Sequence, residues 1–166
     1  SLEGHGFWAV GLAPTTMGRV LATKFAMAAI GMLAASMPLM LISTGMLGVS
    51  GSVRVCALAI AAAMSLALPG LATGLGAVFL DLKQRNPMAV ISGFGGTLNL
   101  VLSLGFMLAA IAPFAFVYHQ HALKHVRADE LWGWLALCLI WLAVMTAGAV
   151  FAPLAAARRS LAAREY

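Results

Sequence analysis

The chain has 166 residues, of which 63% are hydrophobic and 9% charged, with a mean hydropathy of +0.99. Soluble domains hold about 45–50% apolar and about 25% charged residues, so this composition excludes an ordinary soluble domain and indicates an integral membrane protein. A formal charge of +5 without an aromatic-interleaved basic patch fits anionic lipid headgroups better than nucleic acid.

In chain order, the first segment is Ser1–Lys24. Phe7 and Trp8 form an aromatic pair of the interfacial kind, and Pro14, Thr15 and Thr16 read as a helix start. From there Met17, Val20, Leu21 and Phe25 share one face, while Arg19 and Thr23 share another. The pattern predicts an amphipathic helix over residues up to 24, lying on the membrane surface and entering the first span. The chain begins at Ser1 and carries no signal-peptide pattern, which is read as a segment of a longer protein.

Four stretches follow with no Asp, Glu, Lys, Arg or His: Phe25–Val53, Val55–Leu80, Asn86–Tyr118 and Leu131–Ala157. Each exceeds the roughly 20 apolar residues needed to cross a hydrocarbon core about 30 Å thick. The predicted fold class is therefore all-α integral membrane, with four transmembrane helices after the interfacial helix. The spans are placed at about 25–49, 55–80, 88–117 and 131–153, forming a domain over 25–154, with a basic tail over 155–166. A β-barrel is disfavoured because its strands alternate in polarity and are about half as long.

Pro38 and Pro69 lie near the middle of the first two spans and should bend them. Small residues four apart (Ala57, Ala61 and Ser65; Gly70 and Gly74; Ser92 and Gly96) predict close helix packing. Cys56 and Cys138 read as small buried hydrophobes.

Between the second and third spans, Asn86 and Pro87 restart a helix, followed by the crowded Ser92, Gly93, Gly95, Gly96, Thr97 and Asn99. No Lys-Ser/Thr pair follows these glycines, so they are not a phosphate loop. They predict tight helix contact with Asn99 hydrogen-bonded to a neighbouring helix, or else, with Ser92 and Thr97, part of a translocation path. The segment Tyr118–Glu130 holds His119, His121 and His125, with His121 and His125 expected on one helical face. No carboxylate or Cys at ligand spacing completes a metal site there, and no metal or other cofactor is expected. Five scattered acidic residues and no nucleophile–base arrangement argue against an enzyme.

Seven of the ten Lys and Arg residues (Arg19, Lys24, Lys83, Arg85, Arg158, Arg159 and Arg164) fall on the side shared by both termini. Arg54, Lys124 and Arg127 fall on the other, so both termini are expected in the cytoplasm. With no ionisable group at membrane depth, coupling to a proton or ion gradient is not expected.

Some residues are more specific. Ser1, Leu2, Glu3, Gly4, Phe7 and Trp8, then Ala13, Pro14 and Thr15, then Lys24, stand in a fixed order. They are followed by Gly74, Gly76, Ala77 and Phe79, by Asn86 and Pro87, and by Ser92, Gly95 and Gly96. Over residues 1–110 this order resembles the later half of bacterial ABC-2-type permeases, the membrane subunits of ABC exporters. Gln84 and Arg85 depart from the acidic character usual before Asn-Pro in that family.

The resemblance implies a permease in the bacterial inner membrane without ATPase chemistry of its own. Its expected partners are a nucleotide-binding ATPase subunit and a second permease copy or the remaining helices of a longer chain, within the lipid bilayer. It also implies that the N-terminal segment docks on the ATPase, with Glu3, Phe7, Trp8, Pro14 and Arg19 as coupling residues. Ser92, Gly95, Gly96, Thr97 and Asn99 are candidates for the translocation path or for helix packing. The alternatives are a non-transporting membrane scaffold and, more remotely, a His-ligated haem or metal protein.

Overall fold

A computed structural model describes residues 17–79, 94–127 and 130–162. Four helices make it up: α1 (Met17–Met46), α2 (Gly51–Val78), α3 (Phe94–Ala122) and α4 (Leu131–Ala162). No strand occurs among the described residues. At 28 to 32 residues, each helix is about 42–48 Å long, more than the hydrocarbon core requires. All four contain a window of mean hydropathy 2.1 to 2.4 with the charge content of a membrane span. The chain is an all-α, multi-pass membrane protein.

The helix ends follow from local chemistry. At the end of α1, Gly48 takes a φ of +60°, and the Leu47 and Gly48 N–H groups donate to the Ser43 and Gly45 carbonyls. A glycine accepts this left-handed turn without the Cβ clash other residues meet. The short link makes α1 and α2 antiparallel neighbours. At the end of α3, His125 N–H donates to the Gln120 carbonyl and Lys124 N–H to the His121 carbonyl, each at 3.0 Å. This is the paired bonding of a Schellman motif, here with Lys124 in the left-handed position at φ 61°.

The motif corrects one expectation: His121 and His125 do not share a helical face. The helix ends at Ala122, and each ring is engaged separately, His121 Nδ1 lying 3.0 Å from the Val126 carbonyl and His125 Nδ1 3.2 Å from Gln120 Oε1. Among the described residues no three or more His, Cys, Asp or Glu side chains come together as metal ligands.

Helix bounds also differ from the apolar runs. α1 starts at Met17, so the stretch bearing Arg19 is continuous with the first span. α4 passes through Pro153 to Ala162, so a helix occupies part of the segment expected as a tail. Each of the four helices contains one proline: Pro38, Pro69, Pro113 and Pro153.

The chain runs up, down, up, down. The late residues of α2 meet the late residues of α4, Gly70 against Val150 and Gly74 against Pro153. The start of α2 meets the end of α3, where the Tyr118 hydroxyl lies 3.9 Å from Cys56 Sγ. The beginning of α1 and the end of α4 therefore share one end of the bundle with Phe79 and Gly95, and Phe25 and Phe151 border a common groove there. We refer to this as the terminal end and to the opposite one as the far end.

The central helix is α2. It packs most extensively on α4 and next on α1, and it also touches α3; α3 meets α4, whereas α1 barely touches α4 and does not touch α3. Of the most apolar 18 residues, 44% are buried in α2 and only 6% in α1, which makes α1 peripheral. The core runs between α2, α3 and α4 through Ala67, Leu71, Phe106, Phe114, Leu135 and Leu142. Large apolar side chains such as Ile30, Leu39, Leu104 and Ile140 point outward, as a hydrocarbon solvent permits.

Candidate functional site

Chemistry at membrane depth must come from the few polar groups in the spans and from the proline-freed carbonyls. Thr44 donates to the Met40 carbonyl, Thr73 to the Pro69 carbonyl and Thr146 to the Leu142 carbonyl, all at 2.6 to 2.7 Å. Those hydroxyls are satisfied by their own helices, the usual arrangement for a Thr without water nearby.

The pair Ser36 and Ser65 is different, because it links α1 to α2 with a 2.7 Å contact between hydroxyl oxygens. Ser65 is buried and donates to the Ala61 carbonyl at 2.8 Å, so the proton in the interhelical bond comes from Ser36.

The α2–α4 seam is the closest backbone approach. A methyl group at Gly74 would lie 2.3 Å from Pro153 Cβ and 2.6 Å from its carbonyl carbon. One at Gly70 would lie 3.0 Å from Val150 Cα and 3.2 Å from the Ala149 carbonyl oxygen. Pro153 has no N–H, so that Ala149 carbonyl lacks its usual partner four residues on; it is turned toward the glycine seam instead.

A second proline-freed carbonyl is satisfied by a side chain. Pro113 leaves the Ala109 carbonyl without its helical donor, and Trp141 Nε1–H on α4 donates to it at 3.2 Å. The bond fixes the Trp141 indole between α3 and α4. Sequence reasoning missed this pair, although an unbroken apolar run containing a proline signals a carbonyl in need of a donor.

The residues singled out in the sequence are distributed as follows. Glu3, Phe7, Trp8, Pro14 and Ser92 lie outside the described residues. Arg19 is exposed in the first turn of α1, where its carbonyl accepts from Thr23 Oγ1 at 2.9 Å. Gly95 lies under Phe79, since a methyl group there would come 2.7 Å from Phe79 Cβ; the end of α2 thus closes on the start of α3. Gly96 is half-buried and Thr97 exposed.

Asn99 is half-buried, and its side-chain Oδ1 is buried without a donor among the described residues. Gly95, Gly96, Thr97 and Asn99 occupy the first turns of α3, near Phe79, and Arg19 begins α1 at the same end of the bundle.

Grooves on the bundle surface include the following two. One, about 550 Å³, lies between α1, α2 and α4 and includes Phe25, Ala63, Thr146 and Phe151. The other, about 540 Å³, lies between α3 and α4 toward the far end and includes Pro113, Val117, Trp134 and Trp141. Both are almost wholly apolar in their lining, and neither contains an acidic residue.

All Asp, Glu, Lys, Arg and His residues among those described sit outside the four charge-free runs: Arg19 and Lys24 before the first, Arg54 between the first two, His119, His121, Lys124, His125, Arg127 and Glu130 between the last two, and Arg158 and Arg159 after the fourth. The bundle interior can offer an apolar surface, a few hydroxyls and the carbonyls freed by the four helix prolines, but the charge-free runs hold no Asp, Glu, Lys, Arg or His to relay a proton.

No curated protein and no solved structure matches the chain. A family model does, over residues 1–166, and its description is "Putative ATP-binding cassette". Because that match spans the whole chain, this bundle of four membrane helices belongs to the family so described, within the context of ABC transporters.

Proposed function

We propose that the chain is the membrane-spanning permease part of an ATP-driven ABC-2-type exporter. It contributes to the translocation path and takes its energy from an ATPase on a separate subunit. The observation that carries this reading is the combination of membership in an ATP-binding-cassette family with four membrane-length helices, each containing a long run free of Asp, Glu, Lys, Arg and His. Such spans have no side chain to couple a proton gradient. Within the 166 residues there is no Gly-x-x-x-x-Gly-Lys-Ser/Thr sequence, and the described residues form no strand from which a phosphate loop could spring. ATP is therefore bound elsewhere, and this chain answers to it mechanically.

In this reading the terminal end of the bundle faces the cytoplasm, where Arg19, Lys24, Arg158 and Arg159 meet anionic headgroups. Residues 1–24 receive the ATPase, with Glu3, Phe7, Trp8, Pro14 and Arg19 as contacts. Closure of the ATPase displaces the start of α1, and the bundle alternates between two packings. The membrane is the bacterial inner membrane, and a second permease copy or further helices complete the path.

The test is purification of the complete protein from its own membranes. A co-purifying ATPase with a Walker motif is expected, and the double substitution Glu3→Ala and Trp8→Ala should release it while leaving membrane insertion intact. Wild-type protein that carries no ATPase, or that accumulates cargo under a pH gradient without nucleotide, overturns the proposal.

A further inference from the structure

The four helices agree on a length that the exporter reading does not use. From Lys24 to its end at Met46, α1 rises about 33 Å, and from Arg54 to Val78, α2 rises about 36 Å. α3 rises about 36 Å from Phe94 to Tyr118, and α4 about 39 Å from Trp132 to Arg158. Between those bounds none of the four stretches contains Asp, Glu, Lys, Arg or His.

The outer surface is apolar over the same length. Val55 and Phe79 are exposed at the two ends of α2, as are Met27 and Met46 on α1 and Leu100 and Phe116 on α3. On α4, Trp132 and Phe151 are exposed, and only Ala, Pro and Leu stand between Phe151 and Arg158. The bounding cations do not shorten this face. Helical side chains lean toward the N-terminus, so Lys24 and Arg54 can reach their own membrane surfaces with their backbones inside the hydrocarbon. Arg159, at the end of α4, would lean back toward lipid, so its backbone stands clear of it.

A face of about 36 Å exceeds an ordinary core of about 30 Å and must either tilt or meet thicker lipid. Tilt alone would take about 34°, near the top of the range for membrane helices. The four would have to lean as one body, because α2 is packed on each of the others. At the usual tilt of about 20° the same face projects to about 34 Å.

We infer that the outer surface of this bundle fits a bilayer whose hydrocarbon core is about 34 Å thick, and that the protein gathers long-chain phospholipids as its lipid shell. Shorter chains must stretch to reach Met46 and Phe79 or leave them against headgroups, whereas longer chains cover both without strain. The inference concerns the lipid around the bundle and stands whether or not the chain exports anything.

Trp132, Trp134 and Trp141 are exposed on α4 and report the lipid that touches them. The complete chain is reconstituted in phosphatidylcholine with brominated chains of about 18 carbons, which quench tryptophan fluorescence. Unbrominated phosphatidylcholines of about 14 to about 24 carbons then compete for the shell, and recovery of fluorescence gives their relative affinities. Affinity is expected to peak near about 22 carbons, about threefold above that at the brominated length. Phe151→Lys, at an exposed position two turns before Arg158, shortens the apolar face of α4 by about 10 Å and should move the peak toward shorter chains. Infrared dichroism of oriented bilayers of about 18 carbons should give a mean helix tilt well below about 34°. An affinity that peaks at about 18 carbons or fewer overturns the inference, as does one independent of chain length. So does a peak that Phe151→Lys leaves in place, or a mean tilt that reaches about 34° and absorbs the whole excess.

Discussion

The α2–α4 seam permits a test in which one substitution, Gly→Ala, is made at three positions of the same helix. At Gly74 the new methyl would lie 2.3 Å, 2.6 Å and 2.9 Å from three Pro153 atoms, two of them backbone. Ordinary contact begins near 3.4 Å, so the helices must part by about 1 Å along much of their longest interface, and overpacking of this kind costs about 1–3 kcal/mol or more. Because a proline ring and its backbone cannot swing aside, Gly74→Ala belongs at the upper end, about 3 kcal/mol. At Gly70 the nearest atoms are at 3.0 to 3.2 Å, one of them a flexible Val150 methyl carbon, and the cost falls to about 1 kcal/mol. At Gly76 nothing lies within 4 Å, so the better helix propensity of alanine should stabilise by up to about 1 kcal/mol. Reversible unfolding of the reconstituted chain in mixed SDS micelles, followed by circular dichroism, measures all three. The expected order of stability is Gly76→Ala, wild type, Gly70→Ala, Gly74→Ala. Gly74→Ala unfolding together with Gly76→Ala would refute the close approach of α2 to α4 and the parallel alignment built on it.

Two further outcomes follow from hydrogen bonds and caps. Trp141→Phe should cost about 0.5–1.5 kcal/mol by orphaning the Ala109 carbonyl. The same change in a Pro113→Ala background should cost less, because residue 113 then donates to that carbonyl; equal costs in the two backgrounds would show the bond is incidental. Lys124→Gly should stabilise by about 1 kcal/mol, since glycine adopts the left-handed cap without a Cβ penalty, and a lowered unfolding midpoint would contradict that geometry.

Much of this architecture was legible because a bilayer leaves so few options. The absence of charge over Phe25–Val53 or Leu131–Ala157 allows little except a helix crossing lipid, and the structure has helices there. Gly70 and Gly74 were recognisable as a packing pair, but their partner was not, because Val150 and Pro153 look like any other late residues of an apolar run. The fourth span was placed at about 131–153 by its apolar length, yet α4 continues to Ala162, because a helix can run on past the hydrocarbon and a proline within it removes one hydrogen bond without ending it. His121 and His125 are four apart, which suits a shared face only if the helix persists between them, and a left-handed lysine breaks it. Spacing places Asn99 near the start of the third span but does not disclose what stands opposite its side chain, whose Oδ1 is buried without a donor among the described residues. The candidate coupling residues were legible only through their resemblance to a family: nothing in the order Glu3, Phe7, Trp8 and Pro14 states by physics alone what they touch.

The lopsided attachment of α1 has a mechanical corollary. Among the described residues its one broad contact is with α2, it meets α4 only slightly, and a hydroxyl bridge joins Ser36 to Ser65, about two-thirds of the way along its length. A push arriving near Arg19 therefore acts on a long lever with a pivot far from the point of load. Such an arm can sweep sideways through fluid lipid while the clasp of α2 on α4 stays shut.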